Sequence, residues 1–556
     1  MGEEFLFPLS FQQARLWFLH QLDPGNAAYH MPVTLRLDGE LSMETLRAAF
    51  QHVVDQHEAL RTRFEPDTQV QAVLESWAVT PELVDLSGLD PEARRRELDR
   101  VRLGVLREPF DLWSAPPLRV VVVRLEPRVH VLLIVIHHIV CDGWSLGVLA
   151  AELSAAYTAL RGGRAPELPD LPVQYGDFAL WQRERLSGEA LREELDHWSR
   201  VLTGAPAALE LATDRPRPDV PTFDGARVVR ALPEPVALGL ERLAHGCGAS
   251  LFMAVLAAYA VVLCRLSGQD AVIVGTVTAG RSRPELEGLV GCFIDVVPLR
   301  VDVPAGLSWA GLLSRVRTVC LEAYAHQEVP FERLVEHLQP VRDLSRTPIF
   351  QVMLNGQDTP RQDLSWPGVE VTGEPPEPGV SKYDLTLDLH RNTSGMLLDL
   401  EYNRDVFEPA TASGLLGQVA AVLDLMAAAA PDTPVEAALT GLRPATGHRD
   451  GFSGRRIEPP APGSRPGEGS RVPPDDAVEA RVLRCVRDVL GKEWLGVTDD
   501  FFDHGGSSML AMKLALDIEQ ATGYRLVLRD LFDDTTARGL AVKVRAATAT
   551  YELGGH

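Results

Sequence analysis

The chain reads as an α/β protein followed by a small all-helical unit, and three observations lead there. Arg128-Val-His-Val-Leu-Leu-Ile-Val-Ile136 is a near-continuous apolar run rich in β-branched residues, as a strand buried on both faces should be. Trp144 to Arg161 then changes to helical spacing, with Leu146, Leu149, Leu153 and Tyr157 among its apolar positions. Far downstream, Leu442 to Pro474 is dense in Pro, Gly, Ser and Arg and has no sustained apolar period. It separates a large region of mixed strands and helices from a short run of helical patterns.

The first two elements leave His137-His138-Ile139-Val140-Cys141-Asp142-Gly143 at a strand-to-helix junction. Backbone there is ordered while side chains can still face a cavity. Imidazole accepts a proton near neutral pH, so His138 beside a reacting amine would act as general base or hold that amine in line for attack on a carbonyl. Asp142 is placed to accept hydrogen bonds, or an arginine pair, that lock the loop. Gly143 would permit φ > 0 or a close backbone approach. The plain alternative for the histidine pair is local hydrogen bonding. Cys141 is read as a packed thiol, because acyl transfer to an amine needs no covalent enzyme intermediate.

The third element is expected to be a flexible linker. About 33 residues of such chain have a root-mean-square span of roughly 30 Å, and an ordered strap along the large region is the competing view. Beyond it, Ala477 to Leu490, the Phe501-Phe502 pair and Leu526 to Val544 fit a small helical bundle. In Phe501-Phe-Asp-His-Gly-Gly-Ser-Ser-Met-Leu510, Gly505 and Gly506 make a tight turn before an amphipathic helix carrying Met509, Leu510, Met512, Leu514 and Ala515. Ser508 then lies at a helix N-terminus, where a serine commonly caps the helix.

Composition narrows the function classes. A chain of 556 residues exceeds what one core supports. Its 54 basic and 77 acidic residues give a formal charge of −23, which argues against nucleic-acid binding. No apolar run approaching the length of a membrane span and no basic, apolar signal sequence is seen, so a cytoplasmic protein without membrane association is expected. The six cysteines form no C-x-x-C spacing, which suggests reduced, packed thiols and no metal.

Seven stretches, in order, resemble the core motifs of non-ribosomal peptide synthetase condensation domains. They are Ser10-Phe-Gln-Gln-Ala-Arg-Leu-Trp-Phe-Leu19, Gln56-His-Glu-Ala-Leu-Arg-Thr-Arg-Phe64, the His137 to Ser145 loop, Tyr175-Gly-Asp-Phe-Ala-Leu-Trp181, Val290-Gly-Cys-Phe-Ile-Asp-Val296, His326-Gln-Glu-Val-Pro-Phe-Glu332 and Arg342-Asp-Leu-Ser-Arg-Thr-Pro348. The resemblance covers residues 5 to about 440. It implies two lobes, each similar to chloramphenicol acetyltransferase, meeting in a V around a tunnel. The lobes are assigned to residues 1–175 and 176–441, with the boundary where the prolines near Leu171 give way to a long helical pattern from Asp177 to Leu202. Residues 442–474 are the linker, and 475–548 resemble a peptidyl carrier domain with a four-helix bundle. The motif containing Ala14-Arg15-Leu16-Trp17 looks like the subtype that joins an L-configured donor to an L-configured acceptor. One departure is visible: Asp295 stands where the family usually carries Asn.

The resemblance implies amide formation between a donor thioester on an upstream carrier protein and an aminoacyl group on the chain's own carrier. His138 would position or deprotonate the amine, with His137, Asp142 and Gly143 completing the loop. Arg281, in Ala279-Gly280-Arg281, is the candidate partner of Asp142, with an ordinary surface arginine as the alternative. Ser508 is the expected attachment point of 4'-phosphopantetheine. A phosphopantetheinyl transferase would install that arm, and a separate adenylation enzyme would charge it, because no adenylation domain fits in the remaining sequence. Two rivals are a related acyltransferase using a soluble or hydroxyl acceptor and a non-catalytic carrier-docking platform. The latter is expected to lose the second histidine.

Overall fold

A computed structural model describes residues 4–66, 68–340, 343, 345–356, 365–374, 379–392, 394–439, 456–458, 472–501, 504, 508–524, 526 and 535–553. The first lobe is built on a six-stranded sheet. Its order from edge to edge is Ser365–Trp366, Val369–Gly373, His30–Gly39, Val129–His137, Leu118–Glu126 and Glu82–Asp85. The apolar run read from the sequence is the strand Val129–His137, at the middle of this sheet. It pairs antiparallel on both sides, with His30 opposite His137 and Leu118 opposite Ile136. Helices Met43–Gln56 and Gly143–Arg161 cover one face of the sheet. Helix Pro91–Arg107 covers the other, through Leu98 against Val121, Val123 and Val131. Both faces are dry, which is why the strand reads as continuous rather than alternating.

The second lobe carries another six-stranded sheet, ordered Asp295–Asp302, Ala271–Thr278, Val352–Gly356, Leu385–Asn392, Gly395–Asn403 and Gly225–Pro233. Its core is dominated by helix Leu251–Ser267, every residue of which from Met253 to Leu263 is buried. Helix Pro409–Ala428 packs there as well. Over 18 residues its mean hydropathy reaches 1.4, so by length and composition it is apolar enough to span a membrane. The sequence holds no unbroken apolar run of that length, and in the fold this helix is a core element of the second lobe. Thr, Ser, Gly, Gln and Asp424 interrupt the run in the sequence, while in three dimensions Leu415, Val419, Val422, Leu423 and Met426 line up in the second core.

The lobes are knitted together by chain that crosses between them. The hairpin 365–373 comes from the second half of the sequence yet completes the first sheet, with Val369 opposite Gly39 and Gly373 opposite Leu35. Gly39 makes that junction possible: its φ is +149°, and a Cβ there would sit 2.1 Å from the Gly368 carbonyl oxygen. Leu286, Leu289, Val290, Cys292 and Phe293 likewise bury in the first core. The long helix expected from Asp177 is two helices, Tyr175–Arg185 and Gly188–Leu202. They break where Leu186 leaves helical geometry and Gly188 takes φ +60°.

Part of the linker is docked. Ile457 is buried in the second core, its N–H donates to the Ala205 carbonyl at 2.8 Å, and its carbonyl accepts from Gly204 at 2.9 Å. Burying an isoleucine side chain contributes about 1.5–3 kcal/mol. The expected 33-residue flexible span is therefore pinned at Arg456–Glu458, and the stretch from there to Val472 can reach at most about 50 Å. The C-terminal unit shows helices Ala477–Leu490, Ser508–Thr522 and Ala537–Leu553 among the described residues, packed through Val482, Val486, Leu514, Ile518, Leu540 and Val544.

Candidate active site

Helix Gly143–Arg161 begins where the central strand ends, and one turn of 3-10 helix, His138–Val140, links them. Asp142 caps that helix. Its Oδ1 accepts from the Ser145 N–H at 2.8 Å and the Ser145 hydroxyl at 2.7 Å. Across the lobe junction, Arg281 Nη2 donates to the same oxygen at 3.1 Å, and the Phe293 N–H donates to Oδ2 at 3.0 Å. Asp142 has no exposed surface and the Arg281 side chain only 2%. The guanidinium also donates to the Leu289 carbonyl at 3.1 Å and lies 4.0 Å from the Phe293 ring centre. Gly280 sets this arginine's approach: at φ +64° a Cβ would meet the Phe293 carbonyl oxygen at 2.0 Å.

The two histidines face different surroundings. His137 is buried, its Nδ1 accepts the Ile139 N–H at 3.1 Å, and its ring packs among His20, His30 and Phe110. Burial first, then the neighbouring imidazoles, hold it well below the usual histidine range. His138 is partly exposed, at the junction of the lobes, with Nδ1 3.7 Å from Cys292 Sγ. Its backbone N–H donates to the Tyr29 carbonyl at 2.8 Å. Burial lowers its pKa to about 3, helped by the Lys382 ammonium and by Arg15 and opposed by backbone carbonyls of His138 and Cys141. A neutral imidazole with a free ring nitrogen accepts hydrogen bonds well, while its basicity is low.

Gly143 does not do what the sequence suggested. It is the first residue of a regular helix, so its φ is not positive, and a Cβ there would meet nothing within 4 Å. Cys141 is fully buried and burial pushes its thiol far up, which removes it as a nucleophile. No group of metal-ligating side chains occurs among the described residues.

Helix Phe11–Leu22 lines this junction with residues whose roles were not foreseen. Gln12 donates to Asp295 Oδ2 at 3.0 Å, and Arg15 pairs with Glu332 at 3.1 Å. Asp295 opens the strand Asp295–Asp302, and its Oδ1 also accepts the N–H groups of Val296 at 2.8 Å and Phe331 at 3.3 Å. Burial pushes this carboxyl up to about 7, Glu332 adds to the rise, and Arg15 opposes it. The departure from Asn thus falls on a buried carboxyl tying three elements together. The Tyr29 carbonyl that accepts the His138 N–H belongs to a residue whose ring lies 4.7 Å from the Lys382 ammonium, and both Tyr29 and Lys382 come from segments with no local pattern to announce them.

The same helix meets the C-terminal unit: Phe18 and Leu22 pack against that unit's core. Ser508 is the first residue of helix Ser508–Thr522. A helix start offers the backbone N–H donors a phosphodiester needs. The expected turn at Gly505 and Gly506, and Ser507, lie outside the described residues.

Residues 4–441 match the family model described as condensation domain, and residues 480–542 match the phosphopantetheine attachment site. A linear gramicidin synthase polypeptide of Brevibacillus parabrevis is 41% identical over 415 residues, 74% of this chain and 8% of that protein. The phosphinothricin tripeptide synthetase of Streptomyces viridochromogenes is 40% identical over 429 residues, 76% of this chain and 39% of that protein. The matched region thus spans well under half the length of either relative. Among solved structures, the X-domain in complex with OxyB from teicoplanin biosynthesis superposes with a TM-score of 0.70 at 29% identity, covering 78% of this chain and 96% of that one. A four-domain nonribosomal peptide synthetase superposes with a TM-score of 0.70 at 22% identity, covering 88% of this chain and 37% of that one, and speaks for the fold alone.

Proposed function

The chain belongs to the condensation-domain family of non-ribosomal peptide synthetases and carries a phosphopantetheine attachment site behind that domain; from this we propose that it forms an amide between a donor thioester and an aminoacyl group on its own carrier. The donor would arrive on a separate upstream carrier protein. Ser508 is the residue we assign to the 4'-phosphopantetheine arm, installed by a phosphopantetheinyl transferase and charged by a separate adenylation enzyme. When bound, that arm supplies an activated acyl linkage at the end of a long tether.

One observation carries the reading. Helix Phe11–Leu22 turns Gln12 and Arg15 toward the His138 junction and Phe18 and Leu22 toward the carrier core, so carrier and reaction site share one element. A substrate delivered there is held rather than met by diffusion, and proximity and orientation supply much of the rate.

His138 acts on the amine as a neutral acceptor. With its pKa near 3, it orients the attacking lone pair more than it removes a proton in a discrete step. Asp142 and Arg281 hold the loop against the second lobe, and His137 fixes the strand end. His138→Ala should abolish most condensation while Ser508 still accepts its arm. Undiminished product from this variant would remove His138 from the reaction.

A further inference from the structure

Against Tyr29, whose carbonyl accepts the His138 N–H, the second lobe presents a lysine. Lys382 lies in the segment that leads into strand Leu385–Asn392, and this segment is fixed on both sides. Val380 bridges to Asp224, the Ser381 N–H donates to the Phe223 carbonyl at 2.9 Å, and Asp384 takes two bonds from Arg217 at 2.7 and 2.6 Å. The Lys382 ammonium lies 4.7 Å from the centre of the Tyr29 ring. The Tyr29 carbonyl in turn receives the backbone N–H of His138. One residue of the first lobe thus ties the lysine to the histidine.

Among the described residues Lys382 has no carboxylate within ion-pair distance. Its neighbour Arg15 differs, since Glu332 already neutralises that guanidinium. A desolvated cation whose close contact among the described residues is an aromatic face is costly to keep. A negative charge appearing next to it during reaction would be stabilised without any reorganisation.

We propose that Lys382 is a second catalytic group of this site, its ammonium stabilising the negative charge that develops on the donor carbonyl oxygen as the acceptor amine attacks. The inference rests on the amide-forming reading above. The amine lone pair forms the new C–N bond while the carbonyl π pair moves onto oxygen. Collapse restores the carbonyl and breaks the C–S bond, and the proton lost by nitrogen leaves with the sulfur as a thiol. Lys382 stays protonated throughout, and no co-reactant is needed.

The surroundings give this role a pH signature. Burial lowers the Lys382 pKa to about 8, with Glu401 on strand Gly395–Asn403 opposing the fall, Arg15 on helix Phe11–Leu22 adding to it and the Cys292 thiol opposing it. His137, His138, Tyr29, Tyr383, Glu332 and Asp295 are further titratable groups around it, and the same lysine helps hold His138 unprotonated. The ammonium charge is therefore lost as pH rises through about 8, and the bond-forming rate should fall with it.

The test is single-turnover condensation by the full chain, with Ser508 carrying an aminoacyl group and a loaded donor carrier supplied, followed from pH 6.5 to 9. Lys382→Met should slow amide formation roughly tenfold or more, with the melting temperature and the loading of Ser508 unchanged. Lys382→Arg should keep most of the rate and lose the alkaline limb, since a guanidinium stays charged. A Lys382→Met rate within twofold of wild type, or an alkaline limb that persists in Lys382→Arg, would overturn the proposal. A wild-type chain that forms no amide at all would instead overturn the amide reading, and this inference with it.

Discussion

Replacing Asp142 by alanine strips four hydrogen bonds from the lobe junction at once. The Ser145 and Phe293 N–H groups lose their acceptor, the Ser145 hydroxyl loses one partner, and the Arg281 guanidinium, 2% exposed, is left without its counter-charge. Breaking a buried pair from one side costs about 3–5 kcal/mol, mainly because the remaining charge stays desolvated. The Leu289 carbonyl and the Phe293 ring soften that penalty without removing it. Equilibrium unfolding in guanidinium chloride should therefore show Asp142→Ala losing an amount in that range. Asp142→Asn, which can still accept from Ser145, should fall between the two. The Asp142→Ala, Arg281→Met double variant should lose less than the sum of the single changes, because removing the arginine removes the orphaned charge. An Asp142→Ala protein with unchanged stability, or strict additivity in the double variant, would refute the buried-pair reasoning.

Other expectations can be checked separately. Because His138 is held neutral down to about 3, the rate of amide formation should show no limb belonging to His138 near the ordinary histidine value of 6.5, and an acid limb there that disappears in His138→Ala would contradict this. Asp295 has a raised pKa, so its contribution to stability is full below the ordinary value of 3.8 and lost as pH rises through about 7. The stability of Asp295→Asn relative to wild type should therefore improve between pH 5 and pH 8, and a constant difference across that range would count against a buried, raised carboxyl. Ile457→Asp should release the strap without altering the fold of either lobe, seen as faster proteolysis around Arg456. Equal cleavage rates would mean the docked isoleucine does not hold the linker.

Where local pattern dictates structure, the sequence was readable. The strand Val129–His137 and the helices Gly143–Arg161 and Ala477–Leu490 follow from β-branched runs and 3.6-residue periodicity. The pairing of Arg281 with Asp142 spans 139 residues and carries no local signal, so only resemblance pointed to it. Lys382 and Tyr29 were missed for the same reason: isolated polar or aromatic residues in loops gain meaning only when two lobes bring them together. The hairpin 365–373 pairs with residues more than 300 positions earlier, a contact that alternation cannot reveal. Ile457 is one of a few scattered apolar residues in a Pro- and Gly-rich stretch, with Phe452 five positions before it, and such spacing has no period. Gly143 misled because glycine before a helix suggests a turn, whereas Asp142 capping lets the helix begin there with ordinary geometry.

The location of the product tests the central claim most directly. The phosphopantetheinylated chain, charged with an amino acid and mixed with a loaded donor carrier, would be digested and the peptide containing Ser508 weighed by mass spectrometry. That peptide should gain the arm, the amino acid and the donor acyl group together in wild type. It should gain only the arm and amino acid in His138→Ala, and nothing in Ser508→Ala, while Ser507→Ala behaves as wild type. Product found only on a separate carrier or a soluble acceptor, with the Ser508 peptide never lengthened, would contradict amide formation on the chain's own carrier.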